Sequence, residues 1–391
     1  MNISKSVRNE EKYIVNLRRY FHAHPEASLK EYNTANKIEE ELKALNIPYE
    51  RVGETGVIGY IGNPDKGKTL ALRADIDALE IEEANDVEYR SLNKGLMHAC
   101  GHDAHTASLL GAAKVLKGKE DEINGYVKLI FQQAEEIGQG ARQFIAAGHL
   151  KDVDNVFGLH LSSELETGKI AVRPGPVAAS CDYFKIKITG KSSHVSKPHT
   201  GIDALYIASQ VVVNLQSIVS RETDPIDTVV VGIGVLNSGT RYNIVARDAV
   251  LEGTFRTFSR ESRSRTQEAI ERIVKSIAQA HGGKAEIEFQ AFASPVINHE
   301  ASSLLAAKVA RNIAGEDNVI TNQEKALGAD DFAEFQAVVP GVYAYVGSRN
   351  PHDEGSHYPH HNERFNIDEK CLLVATELYI QYALEYLDGS K

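Results

Sequence analysis

Met97-His98-Ala99-Cys100-Gly101-His102-Asp103-Ala104-His105 is the stretch on which the fold turns. It packs a cysteine, a glycine and three histidines into nine residues. Helically spaced apolar residues follow at Ala104–Leu116, then a strand-like run at Tyr126–Phe131. That run ends on Gln132-Gln133-Ala134-Glu135-Glu136 and a Gly138-Gln139-Gly140 turn. A loop of metal-ligating side chains, a helix, a buried strand and a carboxylate pair at the strand's end form one strand–helix unit of an α/β domain.

Working outward, the alternation continues. Tyr13–Phe21 and Ala35–Leu45 carry helical spacing, Val57–Ile61 and Thr69–Leu72 read as buried strands, and Asn155–His160 reads as another, closed by His160. Near Ser180 the texture changes. Phe184–Ile188 alternates apolar and charged residues, a helix spans about 203–219, strands follow at Thr228–Val235 and Ala249–Phe255, then a helix at 265–280 and a strand at Ala285–Phe289. This β-α-β-β-α-β order predicts a ferredoxin-like α+β module. The helix–strand texture resumes after Pro295. The expected organisation is therefore a discontinuous α/β domain, residues 1–182 and 296–391, with an insertion at 183–295.

Composition sets outer limits. The 391 residues exceed one comfortable core, and 42% hydrophobic with 25% charged residues is ordinary for a globular protein. The formal charge of −11 argues against nucleic acid or an anionic membrane as partner, each of which needs a basic patch. No apolar run approaches the roughly 18 residues of a membrane span. Residues 1–19 lack the apolar centre of a signal peptide. Three scattered cysteines form no disulfide framework, which makes a reducing cytoplasm the expected home.

Five clusters carry chemistry. Thiolate and imidazole in the Cys100–His105 stretch suit zinc and similar ions. Glu135-Glu136 sits at the C-terminal end of a strand, where α/β proteins place their sites, and the two carboxylates can divide metal binding from proton transfer. Leu72-Arg73-Ala74-Asp75-Ile76-Asp77 is a second strand ending in acids. His160 ends a third, and alone would be an ordinary polar residue. The fifth, His352–Glu363, holds four histidines within ten residues. The convergence of all five at strand and loop ends of one domain is what points to a catalytic centre. A Rossmann-type cofactor site is excluded, because no Gly-x-Gly-x-x-Gly follows a strand with an acid some 20 positions on.

These segments, with Arg18-Arg19-Tyr20-Phe21-His22-Ala23-His24-Pro25-Glu26, Gly158-Leu159-His160, Gly190-Lys191-Ser192-Ser193-His194 and Phe365-Asn366-Ile367-Asp368-Glu369, resemble the metal-dependent amidohydrolases of the aminoacylase type. That family includes hippurate hydrolase, N-acetyldiaminopimelate deacetylase and the plant auxin-conjugate hydrolases. The similarity covers nearly the whole chain. It implies a central sheet flanked by helices (zinc-exopeptidase-like) and an inserted lid and dimerisation domain. It also implies two divalent ions, zinc or manganese, on Cys100, His102, Glu136, His160 and His361. The last is placed by its register four residues before Phe365, with His360 the alternative. Glu135 is implied as general acid/base, Asp77 as a carboxylate orienting the site, and Asp75 in a similar supporting part. His194 is implied as an oxyanion partner, with Asn243 and Arg256 as weaker candidates for substrate contact. The implied reaction is hydrolysis of an N-acyl amino acid by a metal-activated water, in a homodimer. The alternatives are a dipeptidase or carboxypeptidase of the same family, or a metal-dependent binder without turnover. Glu80, Ala246 and Asp330 depart from the family's usual Pro, Pro and Glu, which bears on substrate preference more than on catalysis.

Overall fold

The computed structural model describes residues 1–388. Residue contacts divide the chain into two compact units. The first comprises Met1–Val177, Ile297–Glu324 and the chain from Asp330 through the C-terminal helix; the second comprises Ala178–Val296 and Lys325–Ala329. The short 325–329 segment goes with the second unit, since the Ala179 N–H donates to the carbonyls of Ala326 and Gly328.

The first unit is built on an eight-stranded mixed sheet. Its order is Tyr49–Val52, Gly56–Gly62, Gly125–Gln132, Lys68–Asp75, Asn155–Glu166, Gly341–Arg349, Ile170–Ala171 and Val319–Ile320. The four strands at its centre, Gly125–Gln132 through Gly341–Arg349, run parallel. Their C-terminal ends therefore open along one edge, and Asp75 lies beside Gln132 in register. The central strands bury both faces, as apolar runs such as Leu70-Ala71-Leu72 require.

The helix His102–Lys117 is buried on nearly every side. Its small residues permit this: a Cβ on Gly111 would lie 2.6 Å from Ile14 Cγ1, so glycine lets the Glu11–Ala23 helix pack against it. The helix Cys371–Asp388 covers another side, where Thr376 Oγ1 donates to the Ser108 carbonyl. The helix starts at Gly101, whose φ of +88° is left-handed and open to glycine at little cost. That turn puts His102 in the helix's first turn with Cys100 just ahead of it.

One expectation is corrected. His160 does not close its strand, which runs on from Asn155 to Glu166. Pairing with Lys68–Asp75 stops at Arg73 opposite Gly158, whereas pairing with Gly341–Arg349 continues past His160. The strand outlasts one neighbour and not the other, so His160 stands at the sheet's C-terminal edge while remaining inside a strand.

The second unit has strand order Lys284–Ala293, Cys181–Thr189, Asp248–Thr257 and Val229–Ser238, all antiparallel. With the helices Ala204–Ser217 and Arg260–Ala280 this is the ferredoxin-like arrangement. Its core is separate, centred on Phe184, Ile186, Leu251, Phe255 and Val211.

Candidate active site

Ligand atoms of Cys100, His102 and His160 lie within 4.8 Å of one another, and so do those of Cys100, Glu136 and His361. The two groups share the Cys100 thiol. A third group joins His102, Glu135 and Glu136. Six of the residues singled out in the sequence thus converge on one spot of the first unit. The donor set, one thiol, three imidazoles and a carboxylate, suits two borderline ions.

The unused atoms fit such a pair. His102 Nδ1 is held by Asp77, at 3.0 Å from its carbonyl and 3.3 Å from Oδ1, while His102 Nε2 is buried without a hydrogen-bond partner among the described residues. Glu136 Oε1 is likewise buried and unpartnered, 3.9 Å from that Nε2. His160 Nδ1 donates to the Leu161 carbonyl at 2.6 Å, leaving Nε2 for the site, 3.5 Å from Cys100 Sγ. A ring fixed through one nitrogen and free at the other is how proteins orient metal-binding histidines. Burial, followed by the Glu136 charge, pushes the Cys100 thiol well above its ordinary range, so binding a cation there displaces a proton.

Asp77 orients two candidate ligands at once: besides His102, its Oδ2 accepts from the Glu136 N–H at 3.0 Å and from Ser28 Oγ at 2.7 Å. The loop carrying Glu135 and Glu136 is strained. Ala134 has φ +54°, a left-handed conformation that costs a non-glycine residue about 1–3 kcal/mol. Glu135 is 5% exposed. Burial, then Asp330, Glu136 and Asp331, push its carboxyl well above the ordinary range, the direction that strengthens it as a proton acceptor.

Not every histidine of the 98–105 stretch is available. His105 is committed on both sides: its Nε2 accepts from the Leu161 N–H at 3.0 Å, so Nδ1 carries the proton and donates to Asp75 Oδ1 at 2.6 Å. Asp75 therefore supports His105, and through it the backbone next to His160. His98 is buried with neither ring nitrogen bonded, and burial lowers its pKa to about 4.

Near the C-terminus the two neighbouring histidines separate. His361 is 54% exposed on its side chain and lies 3.6 Å from Glu136 Oε1, on a backbone with φ +64°. His360 is turned inward, its Nε2 accepting from the Ser163 N–H at 3.4 Å, and burial holds its pKa down to about 3. His361→Ala is accordingly expected to lower bound metal from two equivalents to about one, and His360→Ala to leave two. Elemental analysis after dialysis checks this, and the reverse pattern would move the ligand to His360.

His194, Asn243 and Arg256 lie in the second unit. His194 is exposed, with Nδ1 accepting from Ser196 Oγ at 2.7 Å, and it bridges to Ile244 next to Asn243. Arg256 donates to the Phe255 carbonyl. Among the departures, Asp330 is buried beside Arg73 at 3.1 Å. Sequence reasoning gave no part to Arg73, Glu31 or Asp331, all fully buried near the site. Arg73 and Asp331 carry one sequence signal, a charge inside an otherwise apolar or motif-bearing segment, and Glu31 carries none.

The profile of peptidase family M20/M25/M40 matches residues 71–385. The chain is 39% identical over 389 residues to thermostable carboxypeptidase 2 of Saccharolobus solfataricus, covering 98% of each chain. It is 38% identical over 383 residues to the N-acetylcysteine deacetylase of Bacillus subtilis, covering 97% of this chain and 98% of that one. The crystal structure of the Bacillus subtilis YXEP protein, a dinuclear metal-binding peptidase of the M20 family, superposes with a TM-score of 0.84 at 34% identity over 97% of this chain and 99% of that one. With the cysteine, histidine and carboxylate groups gathered at the edge of its parallel strands, this chain belongs to peptidase family M20/M25/M40.

Proposed function

We propose that this protein is a metal-dependent amidohydrolase that cleaves the amide bond of N-acyl amino acids, with Glu135 as general acid/base. The observation that carries the reading is the position of Glu135, with a carboxylate oxygen within 4.8 Å of ligand atoms of both His102 and Glu136. A protein that only bound metal would have no use for a buried second acid there. The proposed ligands are Cys100, His102, Glu136, His160 and His361 for two ions, zinc or manganese.

When bound, the metal pair supplies Lewis acidity that brings the pKa of a water toward neutrality. Glu135 takes the proton from the attacking water and returns it to the amide nitrogen, which must be protonated to leave. Asp77 keeps His102 and the Glu136 backbone in place throughout. His194 is proposed to face the developing oxyanion, and Asn243 and Arg256 the substrate's polar groups.

The acyl-amino-acid assignment draws on deacetylase and N-acyl-L-amino acid amidohydrolase relatives at 38% and 43% identity. A carboxypeptidase reading is kept because relatives so named match at 39%. N-acetyl amino acids, hippurate and dipeptides, assayed side by side after stripping and reloading with each metal, separate the two. Turnover of acyl amino acids at least about tenfold above dipeptides, roughly 1.4 kcal/mol of discrimination, is the expected outcome. A preference for free dipeptides would favour the peptidase.

The second unit is proposed as lid and homodimer contact. Supporting this are the apolar side chains exposed on its edge strand (Val230, Val235, Leu236) and on the Ala204–Ser217 helix (Leu205, Tyr206, Val213). Light scattering of the wild type tests it. Cytoplasmic residence is proposed on the three free thiols.

A further inference from the structure

The 133–140 loop carries two acids, and more acids surround it. Oxygens of Glu135, Asp330 and Asp331 lie within 4.8 Å of one another, and Glu136 is the next residue. Carboxyl groups this close disfavour one another's ionisation, so how they titrate depends on where the loop backbone sets them. Three backbone N–H groups along it are each taken by a buried carboxylate from a distant part of the chain. Asp77 takes that of Glu136, in the middle. Glu31 Oε1 takes that of Ala134 at 2.9 Å, and Asp331 Oδ2 takes that of Ala141 at 3.1 Å.

Both outer carboxylates are themselves fixed. Glu31 and Thr55 are fully buried, and Thr55 Oγ1 donates to Glu31 Oε2 at 2.7 Å. Asp331 Oδ1 accepts from Gln132 Nε2 at 2.6 Å and from Arg73 Nη2 at 3.1 Å. The Glu31 bond falls on Ala134, the residue held left-handed at φ +54°. A non-glycine residue stays in that conformation only where its surroundings impose it.

We infer that Glu31 and Asp331 are positioning residues: by holding the N–H groups of Ala134 and Ala141 they clamp the two ends of the 133–140 loop and set the direction of Glu135 and Glu136. This rests on the roles proposed above for those two acids. The two clamps differ in a way that can be measured. Glu31 accepts from the Ala134 N–H on one oxygen and from the Thr55 hydroxyl on the other. In Glu31→Gln the amide oxygen keeps Ala134, and the Thr55 hydroxyl turns to accept from the new NH2. The hydrogen bonds of Asp331 are all accepted from N–H groups, so in Asp331→Asn an NH2 confronts either Ala141 N–H or the Arg73–Gln132 pair, and one clamp bond is lost.

The test is hydrogen exchange of the peptide spanning 133–141, which holds both clamped amides, together with zinc affinity by chelator competition, on the intact protein. Loss of the Ala134 bond in Glu31→Ala is expected to speed exchange there about tenfold. Zinc affinity and kcat should each fall about 10–100-fold, with KM nearly unchanged. Glu31→Gln should stay close to wild type in all three readouts, and Asp331→Asn should resemble Glu31→Ala. If Glu31→Ala does not fold, Thr55→Val, which frees one Glu31 oxygen, should speed exchange of the same peptide about threefold. Wild-type exchange and zinc affinity in Glu31→Ala, unchanged exchange in Thr55→Val, or a Glu31→Gln as damaged as Glu31→Ala would each overturn the inference. Exchange is read without substrate. A fully active Glu135→Gln would therefore sink the proposed mechanism and leave the clamp standing, whereas unaltered exchange would sink the clamp even with Glu135 essential.

Discussion

Glu135→Gln is expected to lose about 10²–10⁴-fold in kcat, the range for removing a positioned acid/base, while its metal content stays at the wild-type level. The substitution keeps the side chain's shape and an oxygen acceptor but removes the site that takes and returns a proton. Glu135 is 5% exposed, so solvent reaches it poorly as a substitute proton carrier. The proposed ligand atoms on Cys100, His102, Glu136, His160 and His361 are untouched. KM is expected to change little, since proton transfer belongs to the transition state. Steady-state kinetics and elemental analysis on the same preparation decide the matter. Wild-type turnover would remove Glu135 from the mechanism, and loss of metal together with activity would make it a ligand instead.

Arg73→Leu is expected to be the most destabilising single change near the site. The guanidinium is fully buried, 2.7 Å from Asp75 and 3.1 Å from both Asp330 and Asp331, and its Nε donates to Gln132 at 2.8 Å. Breaking a buried ion pair from one side costs about 3–5 kcal/mol because the remaining charge is stranded. Here three carboxylates are stranded, against a total domain stability of about 5–15 kcal/mol. The pH dependence gives the account its sign. In the wild type burial opposes ionisation of Asp75, but His102, Arg73 and His105 outweigh it and hold the carboxyl well below its usual range. That stabilisation is present at neutral pH and lost only as pH falls through the lowered value. Burial already lifts Asp331 to about 7 despite Arg73.

In Arg73→Leu the native state binds protons more tightly than the unfolded chain. Stability should then be present in acid and decline as pH rises through the ordinary carboxylate range toward neutrality. Melts of metal-free protein at pH 4.5 and 7.5 should show the deficit against wild type shrinking in acid. An equal deficit at both values would mean that lost packing, not stranded charge, is responsible. Arg73→Lys should recover only part of the stability, since one ammonium cannot match a fork that reaches three carboxylates and an amide.

Both expectations depend on contacts that differ in how far they can be read along the chain. Cys100, His102, Glu135, Glu136 and the strand that ends in Asp75 announce themselves locally. Ligand-type residues beside a glycine turn, or acids after an apolar run, can be recognised because strand and helix periodicities are properties of adjacent residues. The same periodicity exposed the β-α-β-β-α-β order of the second unit. The family resemblance implies His361 through its register to Phe365, with His360 the alternative, and the structure turns His361 toward Glu136 while His360 faces Ser163. The backbone sign at His361, φ +64°, separates the two, and no side-chain pattern encodes it.

What the chain dictates alone is its inventory: the residue types of the centre, the strand and helix units that carry them, and the family to which they belong. The tertiary structure decided which of these groups are free. His105 has the composition of a ligand but is used up between Asp75 and the Leu161 N–H. His160 stands at the sheet edge only because one neighbouring strand stops before the other. Glu31 and Asp331 look like ordinary acids, yet they meet backbone N–H groups 103 and 190 residues away. Side-chain chemistry belongs to the residue and can be read from it. A hydrogen bond belongs to a pair, and pairs this distant are chosen by the packing of the whole unit.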